Sequence, residues 1–250
     1  MSKYAVITLA IGYQRFWKRT HAIMRNYADK IGADFIKITE RKIPNSSEFT
    51  TGYNLEKFQI YNYLSIYDRI IFFDGDIVIH PQCPNLFELV PENRLGVVCE
   101  NAPCYDRSFT FQKACNFYGA KYPGNSENWF NGGMMVVSQP QKKLFIPPKK
   151  IRDFPAEQAD GAISHNFVWL DTPMLNAWRI IKNIEIKNLG FRFNYVGSLK
   201  SLTNKPFEPE DAFIFHGSGF EKPYIYKMIK SWYGALSPFQ DTESLAAKER

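Results

Sequence analysis

The sequence predicts an α/β fold in which a mostly parallel central sheet is flanked by helices. Three observations carry this reading. Short β-rich runs alternate with helical periodicities over the first 75 residues, the run Ile70–Phe73 has no polar face, and 16% of the 250 residues are aromatic. An aromatic content of that size requires a large core, which excludes a disordered tail protein, and the chain is too long for a small disulfide-stapled module. Strands buried on both faces read as unbroken apolar runs, the pattern of parallel sheets covered by helices.

The elements follow in order. Ala5–Leu9 is a first strand. Phe16, Ile23, Tyr27 and Ile31 recur at helical spacing, and Gly32 is placed to close that helix before the chain returns to strand over Ala33–Ile38. After a polar loop around Pro44–Thr51, the apolar positions Leu55, Phe58, Tyr61, Tyr63, Leu64 and Tyr67 predict one helix over Leu55–Tyr67. Ile70–Phe73 is the third strand. Leu95–Cys99 and Met134–Val137 read as strands and Ser108–Tyr118 as a helix. Thr172–Ile181, Ala212–Phe215 and Tyr224–Tyr233 complete the pattern as helix, strand and helix. Residues 1–240 are expected to form one domain, with 241–250 a polar, flexible tail.

On such a sheet, ligands sit beyond the carboxyl ends of the strands, so residues at strand ends draw the chemistry. The apolar run ending at Phe73 passes directly into Asp74-Gly75-Asp76. If the strand continues, its two-residue period puts both carboxylates on one side, and Gly75 lets backbone and ligand approach. Two adjacent carboxylates resist joint ionisation, and a divalent cation between them resolves the repulsion. Oxygen ligands suit Mg²⁺ or Mn²⁺, with phosphate oxygens completing the sphere. The competing reading is a polar turn. A second apolar run ends in His216-Gly217-Ser218-Gly219, followed by Lys222. Imidazole offers a metal ligand there, while glycine-rich backbone and an ammonium suit a diphosphate.

Taken together these blocks resemble the GT-A nucleotide-sugar glycosyltransferases, in particular the retaining group that includes glycogenin and bacterial lipopolysaccharide galactosyl- and glucosyltransferases. The likeness runs through Tyr4–Ala10, Glu56–Phe58, Tyr67–Asp76, Asn131-Gly132-Gly133-Met134 and His216-x-x-Gly219-x-x-Lys222-Pro223. It implies that Asp74, Asp76 and His216 hold Mn²⁺ (or Mg²⁺) against the diphosphate of a nucleoside diphosphate sugar, UDP-linked by the same likeness. It implies further that Gly219 and Lys222 meet the phosphates, that Gly75 lies against the donor, that Lys57 lies near the sugar or phosphate, and that Thr8, Ala10 and Tyr13 border the base. Asn131 is expected to position the donor and Asp171 to orient donor sugar or acceptor. Two positions depart from the family pattern: Thr172 stands where Gln is common after Asp171, and Gly132 where Ser is frequent.

The expected reaction is transfer of a hexosyl unit to an acceptor hydroxyl with retention of configuration. Two alternatives stay open, a nucleotidyltransferase acting on sugar phosphates and a non-catalytic nucleotide-sugar or carbohydrate-binding protein. The first lacks the glycine-rich loop it would need after strand one, since Ala10-Ile11-Gly12-Tyr13 is poor in glycine. The acceptor is expected to be a glycan, a lipid-linked sugar or a protein. The net charge of +6 favours anionic partners only weakly, and no finger, helix-turn-helix or RNP pattern points to nucleic acid. The basic stretch Lys142, Lys143, Lys149, Lys150 and Arg152 is read as a solvated loop or a face toward an anionic acceptor or membrane headgroups. The aromatic segment Phe109–Tyr122 with Trp129 is read as core or as a flank of the acceptor cleft. Without a cleavable leader or an 18-residue apolar run, the expected place is the cytoplasm, with contact at the cytoplasmic face of a membrane allowed. The four cysteines show no CxxC pair and read as buried or incidental thiols.

Overall fold

In a computed structural model the described residues are 2–43, 52–100, 106–147, 171–196, 208–218 and 222–234. Strand β1 (Tyr4–Leu9) lies between β2 (Asp34–Ile38) and β3 (Arg69–Phe73), parallel to both. Helix α1 (Trp17–Lys30) connects β1 to β2 and buries Thr20, Ile23, Met24, Tyr27 and Ala28, the i, i+3, i+4, i+7, i+8 stripe of a helix packed on a sheet. Beyond β3 come β6 (Phe130–Ser138), β5 (Leu95–Cys99) and β7 (Ile186–Asn188), giving the order β2-β1-β3-β6-β5-β7. The sheet is mixed: β5 and β7 are parallel, while β6 runs antiparallel to both β3 and β5.

Alternation along the strands covers both faces. Ala5, Ile7, Leu9, Ile70 and Phe72 enter one apolar core, together with Phe111 of α4 (Ser108–Tyr118) and Met174 of α5 (Asp171–Ile181). Val6, Ile71 and Phe73 enter the other, with α1 and with Ile225 of α6 (Lys222–Tyr233). This second core also holds a small sheet, β4 (Ile77–Ile79), β9 (Ile214–His216) and β8 (Tyr195–Val196), in the order β4-β9-β8. A one-turn helix, α3 (Leu86–Leu89), is N-capped by Asn85.

Two expectations are corrected. The single helix over Leu55–Tyr67 is instead a 3₁₀ segment, Gly52–Gln59, running into the short α2 (Ile60–Tyr63). Every residue from Leu55 to Ile60 is buried, so no solvent face dictates a 3.6-residue period, and buried polar side chains need specific partners. Glu56 accepts from the backbone N–H groups of Lys42 and Ile43 and from Gln59, while Lys57 turns the other way into the site. The second correction concerns Asp74-Gly75-Asp76, which is a turn between β3 and β4 rather than a continued strand; Ile77 N–H donates to the Asp74 carbonyl at 3.2 Å.

The remaining readings resolve simply. Phe111 and Trp129 are core residues in T-shaped contact. Lys142 donates to Ser65 Oγ and sits over the Tyr61 ring, whereas Lys149, Lys150, Arg152 and the segment 241–250 lie outside the described residues. Cys83, Cys99 and Cys115 are free and buried, and burial pushes the Cys99 thiol up to about 11, leaving it unreactive near neutrality. Among the described residues no helix is long and apolar enough to cross a membrane.

Candidate active site

Four chain ends meet at one edge of the large sheet. Because β6 is antiparallel, its first residues lie beside the last residues of β3, with Phe73 opposite Met134, and the Asp74 N–H donates to the Gly133 carbonyl at 2.8 Å. The end of β5 is joined there by Glu100, whose N–H donates to the Trp129 carbonyl. The N-terminus of α5 is tied to the same edge by Asn176. Its side-chain amide accepts from the Phe130 N–H at 3.0 Å and donates to the Phe130 carbonyl at 2.9 Å, as a neighbouring strand would. This brings Asp171 against Gly132.

The small sheet delivers the remaining side chain. β4 and β9 pair with Ile77 opposite His216, and the Gly217 N–H donates to the Asp76 carbonyl at 3.0 Å. The His216 ring thereby reaches the acidic turn: Nε2 lies 3.2 Å from Asp76 Oδ1 and 3.7 Å from Asp74 Oδ2. One ligand atom from each of Asp74, Asp76 and His216 falls within a common 4.8 Å span. Two carboxylates and an imidazole at that spacing are a donor set for a divalent cation.

Charge accounting agrees with a cation. Lys57 Nζ donates to Asp171 Oδ2 at 2.6 Å, stands 3.1 Å from Asp74 Oδ1 and donates to the Gly132 carbonyl at 3.1 Å. Burial alone lowers the Lys57 ammonium, but Asp171 and Asp74 outweigh it and hold its pKa above the ordinary lysine range. Burial raises the Asp74 carboxyl, Lys57 and His216 pull it back, and Asp76 and Asp171 push it up again. Three carboxylates stand against one ammonium, an excess of acidic groups that a divalent ion would offset.

A cavity of about 270 Å³ opens over this cluster. Its wall takes Leu9 and Ile11 from the end of β1, Phe16 and Trp17 from the start of α1, Tyr53 and Lys57, and, from the other side, Asn131, Gly133, Asp171, Thr172 and His216. Asp74, Gly75 and Asp76 also line it. Thr8 does not: strand alternation turns it away from Leu9, and its buried Oγ1 lacks a hydrogen-bond partner among the described residues. Ala10 is half-buried and Tyr13 is 80% exposed, both outside the lining. Gly219 and the Lys222 side chain lie outside the described residues. Lys57 lines the cavity but is committed to two carboxylates. Sequence reasoning missed Trp17, Glu100 and Asn194. Glu100 carried the same signal as Asp74, an apolar strand running straight into a carboxylate.

The glycine pair is explained by close approach. A Cβ on Gly133 would fall 2.2 Å from His216 Cε1, so only glycine leaves room for the imidazole. A Cβ on Gly132 would fall 2.9 Å from Thr172 Oγ1 and 3.1 Å from Asp171 Oδ2. The two positions that depart from the family pattern are thus neighbours in space, and the Thr172 hydroxyl occupies the room that a side chain at 132 would need.

Known proteins agree with this architecture. The family model for glycosyl transferase family 8 matches residues 7–227. Among solved structures, a glycosyltransferase involved in glycosylation of the major capsid of PBCV-1 superposes with a TM-score of 0.56 at 9% identity, covering 90% of this chain and 99% of that one. The galactosyltransferase LgtC, in complex with donor and acceptor sugar analogs, gives 0.55 at 12% identity over 97% of this chain and 99% of that one. The bifunctional glycosyltransferase WbbM gives 0.58 at 13% identity over 100% of this chain and 52% of that one. No curated protein matches the sequence. At such identities the structural likenesses establish shared fold alone, whereas the family model spans nearly the whole chain. On that span the chain belongs to glycosyl transferase family 8 and is a glycosyltransferase of the GT-A fold.

Proposed function

We propose that the enzyme moves a hexosyl unit from a UDP-sugar to an acceptor hydroxyl, with retention of configuration, using Mn²⁺ or Mg²⁺ held by Asp74, Asp76 and His216. The observation that carries this reading is the convergence of those three side chains on the wall of the cavity, with an excess of acidic groups around them. When bound, the ion would neutralise charge developing on the departing diphosphate, which accelerates transfer only if it is stronger in the transition state than in the bound donor.

The chain's own residues have separate tasks. Lys57, on the cavity wall, locks Asp171 and Asp74 into one orientation. Asp171, at the first position of α5, faces the cavity and orients a sugar hydroxyl of donor or acceptor. Asn131 marks the donor side, and Leu9 and Ile11 form the apolar edge against which the nucleoside rests. Gly219 and Lys222 supply further phosphate contacts. Retention and the uridine nucleotide follow from family likeness.

The test is an incubation with UDP- and GDP-sugars and Mn²⁺, followed by measurement of nucleoside diphosphate and of sugar transferred. Divalent-dependent release of UDP with a glycosylated acceptor is the expected result. Pyrophosphate release from a nucleoside triphosphate and a sugar phosphate would replace it with a nucleotidyltransferase. Tight donor binding without hydrolysis or transfer across a broad acceptor set would reduce the protein to a binding module.

A further inference from the structure

His216 is tied on its far side to two side-chain amides, one buried and one half-buried, that lead to a carboxylate at the end of β5. Asn194 is fully buried at the start of β8, two residues before Val196, which lies opposite His216 in the small sheet. Its Oδ1 is 3.0 Å from His216 Nδ1, and its Nδ2 donates to Asn131 Oδ1 at 3.1 Å. Asn131 Oδ1 also accepts the Gly133 N–H at 2.8 Å, while its Nδ2 donates to Glu100 Oε1 at 3.0 Å. Glu100 Oε2 in turn accepts from Arg107 Nε at 2.9 Å.

The direction of this chain is determined at two points. A backbone N–H only donates, so the atom of Asn131 facing Gly133 must be its oxygen. A carboxylate paired with arginine accepts, so the atom facing Glu100 must be the nitrogen. With Asn131 Oδ1 as the acceptor, Asn194 presents Nδ2 to it and turns Oδ1 toward the imidazole. That oxygen has no hydrogen to give, so His216 Nδ1 carries the proton. The Nε2 lone pair of the neutral ring is then left facing Asp74 and Asp76.

We propose that Glu100, Asn131 and Asn194 act as a positioning relay that selects the Nδ1–H tautomer of His216 and so presents Nε2 to a divalent cation. The proposal rests on the reading of Asp74, Asp76 and His216 as cation ligands. Hydrogen bonds to the far nitrogen of a ligating histidine fix ring and tautomer, and losing such a partner typically weakens metal binding about 10–100-fold. Asn194 and Glu100 are positioning residues: neither belongs to the ligand triad, and both act through His216.

The experiment uses two independent readouts on the full chain: ¹⁵N NMR of the His216 imidazole without metal, and calorimetric titration with Mn²⁺ alone. In the parent the relay requires a proton on Nδ1, and the ligand reading requires Mn²⁺ binding. Asn194→Leu, which removes the acceptor at Nδ1 while Asp76 stays 3.2 Å from Nε2, should move the proton of the metal-free ring toward Nε2 and weaken Mn²⁺ about 10–100-fold. Glu100→Gln, distant from the imidazole and less disruptive to the fold, should shift both readouts in the direction of Asn194→Leu by a smaller amount. An unchanged tautomer in both Asn194→Leu and Glu100→Gln overturns the relay whatever the metal does. A parent that shows the Nδ1 proton yet takes up no Mn²⁺ overturns the ligand assignment, and with it the claim that the relay serves a metal.

Discussion

The two flanks of the acidic turn are built from opposite materials. On the α5 side, the buried Lys57 ammonium bridges Asp171 and Asp74 by direct ion pairs. On the β8 side, neutral amides link His216 to Glu100 with no formal charge between them. A buried ion pair is unforgiving, because removing one partner strands the other in a poorly solvated place. A cut amide chain leaves neutral groups unsatisfied, at about 1–3 kcal/mol each, without stranding a charge. The first flank therefore ties the site closely to the stability of the fold, whereas a cut in the second costs the fold less.

The largest expected effect lies on the carboxylates that both flanks serve. Asp76→Asn should reduce divalent-dependent transfer to background, checked in the UDP-sugar assay. The metal-free variant should stay folded, since Asn keeps the shape of the side chain, and it should lose the upward shift in melting temperature expected of the parent with Mn²⁺.

Next comes the charged flank. Lys57→Met should cost about 3–5 kcal/mol in denaturant unfolding by stranding Asp171 and Asp74. Adding Asp171→Leu should recover much of that stability while activity stays lost. A double variant as unstable as the single would break the contrast between the two flanks.

A smaller effect concerns Gly132 and Thr172. Gly132→Ala should be destabilising in the parent and better tolerated in Thr172→Ala, with a coupling of about 1 kcal/mol in a double-mutant cycle. Additive changes would separate the two departures from the family pattern that the structure places side by side.

A last prediction sharpens the comparison from outside both flanks. His21 stacks on Trp17, a wall of the cavity. Burial, with Lys37 adding to it, depresses its pKa to about 4 from 6.5. The folded protein thus binds fewer protons than the unfolded chain between those values, and its stability falls as pH drops through that window. The ring keeps some solvent contact, so the loss attributable to His21 should be about 1–2 kcal/mol rather than the full linkage value. His21→Phe, which keeps the stack, should show that much less decline between pH 7 and 4 in unfolding experiments.

How far the sequence displayed all this depends on the range of each interaction. The main strands, α1, α4 and α5 were visible because their apolar periodicity is local. Asp74 and His216 were visible because each closes an apolar run, and Asp76 because it stands two residues after Asp74, although the reason the carboxylates converge is a turn rather than a strand. The small sheet was largely hidden, since strands of two or three residues hold too few side chains to show a period. The ion pair of Lys57 with Asp171 joins residues 114 positions apart, and no spacing rule reaches that far. Asn194 had no local signal at all, while the sequence reading of Tyr13 placed an aromatic at the site that in fact stands in solvent.

The pairing of Ile77 with His216 also has a consequence for the order in which the chain matures. The acidic turn and its imidazole are about 140 residues apart, so ribosomal synthesis delivers the carboxylates long before the ring that completes them. Early strands, the first crossover helix and their apolar core involve nearer neighbours and are free to organise first. On the proposed metal reading, the cation site is complete only when β9 adds to β4, and Mn²⁺ binding would then report that this pairing has closed.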